Sequence, residues 1–296
     1  MTDVPARAGF HASFACLWCG RPHTTRTPDD LEGWAQLCPD CVGRAQDNEF
    51  LRFRLREGLR RRALAADDHA ADEPAADEQE AEGQSLKDYY AARAPEYDEF
   101  YTTTERPPLE QAVFQADLDA ATLWLDDLPV SGEIVELAAG TGWWSPLLAQ
   151  KGELSLYDVS DEVLVRARDR LLAHGLRAHI HIRDAWAEPD RQVDVVFCGA
   201  WLSHVRRKRL PDFLAIVHRW LKPGGLFAFV DEAGHPDYVQ TDDEHQPRQL
   251  NDGRRFEIVK VFYEPDELEA ALLAAGFASA EVKKTSRFFV LGLATA

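Results

Sequence analysis

Residues Ile134 to Trp144 read Ile-Val-Glu-Leu-Ala-Ala-Gly-Thr-Gly-Trp-Trp, and this stretch limits the fold more than any other part of the chain. A β-branched, apolar run suits a buried strand. The glycine pair then supplies a tight turn that opens into a helix. The next apolar run, Leu154 to Tyr157, ends in Asp158, 18 residues after Gly140. A glycine turn closing one strand and a carboxylate closing the next is the layout of a nucleoside site at the switch point of a parallel sheet.

Two chemistries share that layout. A dinucleotide site uses a third glycine, so that helix and strand pack closely under a pyrophosphate. Here Gly140 and Gly142 are followed by Ser145, and Glu136 stands just ahead of the turn. A carboxylate there repels a pyrophosphate but suits a cation or an ammonium group. S-adenosylmethionine (SAM) is therefore favoured over NAD.

These residues, and four segments that follow in order, resemble the class I SAM-dependent methyltransferases from about Ser85 to Ala296. The segments are Tyr157-Asp158-Val159-Ser160, Arg183-Asp184-Ala185-Trp186, Val193 to Gly199, and Leu221-Lys222-Pro223-Gly224-Gly225. The family's first motif carries a glycine where this chain has Ala138; an ordinary backbone conformation is expected there. The resemblance implies an α/β, Rossmann-like, seven-stranded sheet with its last strand antiparallel and helices on both faces. It also implies a cofactor site. The turn at Ala138, Gly140 and Gly142 would approach the methionyl portion and Glu136 its ammonium group. Asp158 and Val159 would meet the ribose, Asp184, Ala185 and Trp186 the adenine, and Gly199 would close the site from the fourth strand.

The acceptor side is less fully marked. Tyr89, Tyr90, Tyr97 and Tyr101 cluster after a helix start at Ser85 to Asp88. By resemblance, Tyr90 and Tyr97 would belong to a lid over cofactor and acceptor. His204, in the Ala-Trp-Leu-Ser-His run after strand four, is the candidate general base, and Tyr97 the second catalytic candidate. Asp231 and Glu232 could orient an acceptor or only anchor a loop. The segment 235–263 reads as a substrate-side cap, in which Arg254 or Lys260 would receive an anionic group, unless Asn251-Asp252-Gly253 is simply a hairpin turn.

Beyond that body, Cys16-Leu-Trp-Cys19 and Cys38-Pro-Asp-Cys41 form two C-x2-C pairs with 18 residues between them. Four thiolates at this spacing suit structural zinc, with a redox dithiol pair or unrelated thiols as the other readings. The expected organisation is a zinc-binding lobe over 1–65, ending in a helix over 48–65, then an acidic linker over 66–84 and the methyltransferase domain over 85–296.

Charge narrows the partners. The net charge is −18; residues 1–62 carry +2, residues 63–84 carry −8, and the remaining body carries −12. An acidic body argues against a nucleic-acid substrate. A small-molecule acceptor is expected, with a protein partner allowed through the zinc lobe. The alternatives are an RNA or protein methyltransferase aimed by that lobe, and a SAM-binding module without catalysis. With no long apolar segment and no signal-like start, a cytoplasmic location and no membrane contact are expected.

Overall fold

The computed structural model describes residues 12–15, 21–25, 76–104, 106–234 and 244–296. The chain divides into two units, Met1–Glu73 with Thr241–Asp243, and Pro74–Gln240 with Glu244–Ala296. In the first unit, strands β1 (Ala12–Ala15) and β2 (Pro22–Thr25) pair antiparallel, Ala15 opposite Pro22. All four zinc-candidate cysteines, and the helix expected over 48–65, lie outside the described residues.

The second unit opens with helix α1 (Ala76–Arg93). Residues 76–84 were expected to be linker, yet they are helical. Ala, Glu and Gln are strong helix formers, and the apolar anchor at Leu86 and Tyr89 lets the helix extend backwards from it. Helix α2 (Glu99–Thr102) is a single turn. Helix α3 (Pro108–Asp127) starts on a proline and buries Phe114, Leu118, Ala121 and Leu125, the 4-3-4 stripe visible in the sequence.

Alternation then begins: β3 (Gly132–Leu137), α4 (Ser145–Ala149), β4 (Gly152–Asp158), α5 (Asp161–Ala173), β5 (His179–Ile182) and β6 (Val193–Gly199). Helix α6 (Leu210–Trp220) and β7 (Leu221–Glu232) follow. After a two-stranded hairpin, β8 (His245–Gln249) and β9 (Arg255–Val259), the chain ends with α7 (Pro265–Ala274), β10 (Ser279–Lys284) and β11 (Phe289–Thr295).

The main sheet has seven strands in the order β10-β11-β7-β6-β3-β4-β5. Strands β7, β6, β3, β4 and β5 run parallel, and β11 lies antiparallel to both neighbours. Side chains alternate between two apolar layers, as a strand covered on both faces requires. Val135, Val196 and Phe227 face α6 and α7, while Ile134, Val195 and Ala228 face α3, α4 and α5. The strand order reverses at β3, so the carboxyl ends of β3, β4 and β6 open onto one crevice.

Candidate functional site

The glycine turn is built by backbone strain and one carboxylate. Ala138, Gly140 and Gly142 all have left-handed backbones, with φ of 51°, 55° and 72°. Ala138 therefore departs from the ordinary conformation expected for it. The chain must reverse within a few residues of a buried strand, and Ala138 takes up part of that turn at a cost of about 1–2 kcal/mol. Asp158 holds the result. Its carboxylate accepts the Gly140 N–H at 2.9 Å and the Ser160 N–H at 3.0 Å. Burial pushes this carboxyl up, and the backbone N–H groups of Ser160, Gly140 and Val159 oppose the shift. Ser160 caps α5 by accepting the Val163 N–H at 3.4 Å, which leaves Asp158 available to the crevice.

A cavity of about 540 Å³ occupies this edge of the sheet. Ala138, Gly140, Asp158, Val159, Asp184, Ala185, Trp186 and Gly199 line it, together with Tyr97 and His204. Residues up to 107 positions apart, Tyr97 and His204, are thus brought onto one cavity. Asp184 shapes its own turn by accepting the Trp186 N–H at 2.9 Å. Gly199 has to be glycine, because a Cβ there would stand 2.6 Å from the Trp144 ring.

Glu136 and Gly142 do not line the cavity. Glu136 is 1% exposed and turned inward, where it accepts the Ser145 hydroxyl at 2.6 Å, and burial pushes its carboxyl up to about 8. It supports the turn from beneath. Gly142 performs the packing that a dinucleotide site assigns to a third glycine: a Cβ there would meet the Ala167 Cβ of α5 at 2.8 Å.

The roof of the cavity comes from α1 and the β8–β9 hairpin. Gln84, Leu86, Lys87 and Tyr90 of α1 line it, as does Val259 at the end of β9. Tyr89 packs edge-on against Phe256 at 5.4 Å, and the Ser85 hydroxyl donates to the Glu257 carbonyl at 3.2 Å. Asp98, between α1 and α2, ties this roof to the floor by accepting the Thr141 hydroxyl at 2.7 Å and pairing with Arg170. Tyr97 is thereby held within 4.0 Å of the position a Gly140 side chain would take.

His204 sits in a short helical turn after β6 and is 8% exposed. Its Nδ1 lies 2.7 Å from the Val259 carbonyl and its Nε2 2.5 Å from the Tyr90 hydroxyl. Burial, reinforced by the Lys260 charge, lowers the imidazole to about 3. Lys260 is not available to an acceptor: it is buried, donating to Glu232 at 2.7 Å and to the Ser203 hydroxyl at 2.9 Å. Although burial raises Glu232, Lys260 holds it at about 2. Asp231, which burial raises, accepts the Ser203 N–H and the Glu232 N–H, so both carboxylates anchor the site. Residues 251–253 form the turn of the β8–β9 hairpin, and Arg254 pairs with Asp252 at 2.7 Å.

Sequence reasoning missed Trp201, Arg206, Lys208 and Arg209, which also line the cavity. Arg209 lies 4.3 Å over the Trp186 ring. The basic run Arg206 to Arg209, beginning two positions after His204 in an otherwise acidic body, was the available signal.

A family model described as a methyltransferase domain matches residues 134–225. Two solved structures of DhpI resemble the chain: the SAH complex is 33% identical, covering 71% of this chain and 95% of DhpI with a TM-score of 0.57. The DhpI–SAM–HEP complex is 32% identical over 72% of this chain and 97% of that one, with a TM-score of 0.61. The ubiquinone/menaquinone biosynthesis C-methyltransferase UbiE of Azotobacter vinelandii is 35% identical over 112 residues, 35% of this chain and 44% of its own. The chain spans about half the length of such curated relatives. It belongs to the class I SAM-dependent methyltransferases. Among the described residues, no helix is long and apolar enough to cross a membrane, and no cluster of three or more His, Cys, Asp or Glu side chains is arranged to hold a metal.

Proposed function

We propose that this protein transfers the methyl group of SAM to an oxygen, nitrogen or carbon atom of a small-molecule acceptor. The observation that carries the reading is the one cavity edge shared by the Ala138–Gly140 turn, Asp158 and Asp184 on the cofactor side and by Tyr90, Tyr97 and His204 on the acceptor side. Asp158, with two of its lone pairs already taken by N–H groups, keeps others for ribose hydroxyls. Trp186 and Ala185 offer an apolar surface for adenine. SAM supplies an activated methyl group, so the protein's main task is to align the acceptor and exclude water. The roof of α1 and the hairpin leaves room for cofactor and a small acceptor, which supports the small-molecule reading over a polymer. Calorimetric titration with SAM and SAH, followed by transfer of labelled methyl to a metabolite panel, tests it. Absence of SAM binding would refute it.

For the N-terminal unit the reading is a structural zinc site formed by Cys16, Cys19, Cys38 and Cys41, with a protein partner as its use. The spacing supports it, and so does the position of the first pair in sequence, between the antiparallel strands β1 and β2, where zinc knuckles form. Metal analysis of the purified protein should find one zinc per chain, and Cys38→Ser should release it while SAM affinity is retained.

A further inference from the structure

Tyr90 and His204 lie 114 positions apart, yet they meet on the cavity wall, hydroxyl to Nε2 at 2.5 Å. The opposite ring nitrogen decides where the protons are. Nδ1 faces the Val259 carbonyl at 2.7 Å, and a carbonyl only accepts, so Nδ1 carries a hydrogen. Burial and Lys260 keep the ring neutral near pH 7, so Nε2 is bare. A bare nitrogen accepts, and the Tyr90 hydroxyl must therefore donate to it. Tyr90 thus has its proton committed to His204 and its oxygen lone pairs left over. Tyr97, with its ring 5.7 Å from that of Tyr90, stands beside it toward Gly140 and the cofactor turn.

The frame behind the histidine is fixed. The Ser203 N–H donates to Asp231 at 3.1 Å, the Ser203 carbonyl accepts the Val261 N–H at 2.7 Å, and Lys260 reaches the Ser203 hydroxyl. His204 cannot meet an acceptor directly while Tyr90 occupies its one bare nitrogen. We propose that Tyr90 is the catalytic residue that takes the acceptor's proton, that His204 positions Tyr90 and receives the proton it passes on, and that the acceptor is a small molecule bearing a hydroxyl or an N–H group.

The step balances. The acceptor's lone pair forms the new bond to the methyl carbon, and the electron pair of the breaking C–S bond stays on sulfur. The acceptor's O–H or N–H electron pair stays on that atom as its proton moves to the Tyr90 oxygen, and the Tyr90 proton moves to Nε2. One positive charge is lost at sulfur and one appears on the imidazole, so the site's total charge is unchanged. That conservation offsets the burial penalty that keeps His204 neutral beforehand.

The inference rests on the methyltransferase reading above, and its test separates the two. In full-length, 15N-labelled protein saturated with SAH, a long-range 1H–15N spectrum should show His204 with a protonated Nδ1 and a bare Nε2 near neutral pH, and Tyr90→Phe should move the Nε2 signal. This arm needs no acceptor; a protonated Nε2, or a Tyr90→Phe spectrum with no change at Nε2, overturns the proposal. With labelled SAM and a panel of phenols, alcohols and amines, Tyr90→Phe should lower kcat by about 10²-fold or more while KM for SAM stays within about twofold. His204→Gln, which can accept the Tyr90 hydrogen bond but cannot take a proton, should be as slow. Wild-type kcat in either variant, or turnover confined to acceptors without an O–H or N–H proton, overturns it. Failure of SAH to bind at all would instead defeat the methyltransferase reading.

Discussion

Gly140 and Gly142 look alike in the sequence, and replacing each with alanine should separate binding from stability. Both have left-handed φ, 55° and 72°, so an alanine at either costs about 1–2 kcal/mol of backbone strain. About 0.4–1 kcal/mol of that is offset because alanine restricts the unfolded chain. At Gly140 nothing more is added, since its Cβ would find only the Tyr97 ring, at 3.9 Å. The net loss there is about 0–1.6 kcal/mol. At Gly142 the Cβ would stand 2.8 Å from the Ala167 Cβ, 2.9 Å from the Ser145 Oγ and 3.0 Å from the Ala167 Cα. Ser145 cannot swing aside without stranding the buried Glu136 carboxyl, so overpacking adds about 1–3 kcal/mol. Urea denaturation followed by tryptophan fluorescence should therefore place Gly142→Ala about 1–3 kcal/mol below Gly140→Ala. SAH affinity should fall in the reverse order, because Gly140 lines the cavity and Gly142 does not. Equal stability losses, or a binding defect confined to Gly142→Ala, would refute the division of labour.

Three further outcomes are expected. Asp158→Ala should weaken SAM binding by about 1–3 kcal/mol in calorimetry, and unchanged affinity would remove the residue from the site. Asp117, 3% exposed, accepts five hydrogen bonds from Thr285, Ser286, Arg287 and Phe288, which hold its carboxyl below the ordinary range against the opposing effect of burial. A depressed folded value means stability that is present above the unfolded value of about 3.9 and lost as pH falls through the folded one; Asp117→Asn should abolish that acid-limb dependence in pH-resolved melting. Glu136 has the opposite sign: its folded value of about 8 means stability is lost as pH rises from the unfolded value, about 4.3, toward about 8. Glu136→Gln should gain on the wild type across that window, and parallel stability curves would show that the carboxyl is not neutral when buried.

The sheet was readable because its signals are local. The 4-3-4 apolar stripe of α3, the Ser160 cap of α5 and the glycine turn each follow from residues within a few positions of one another. The missed features depend on burial and on partners that no local pattern names. The inward turn of Glu136 follows from Ser145 and from burial beneath the turn, and the left-handed Ala138 is enforced by a strand whose end is clamped through Asp158. The early start of α1 reflects an anchor at Tyr89 on Phe256, a contact between segments 167 positions apart.

From the amino-acid order alone come the parallel sheet, the carboxylate at the end of β4 and the methyltransferase likeness, since period, turn chemistry and spacing are written along one dimension. Folding decided which candidates face the cavity. Tyr90 reaches His204, Lys260 is spent on Glu232, and Glu136 turns away from the site, because a side chain's protonation and partners are set by burial and by charges that only the packed chain brings within a few ångströms.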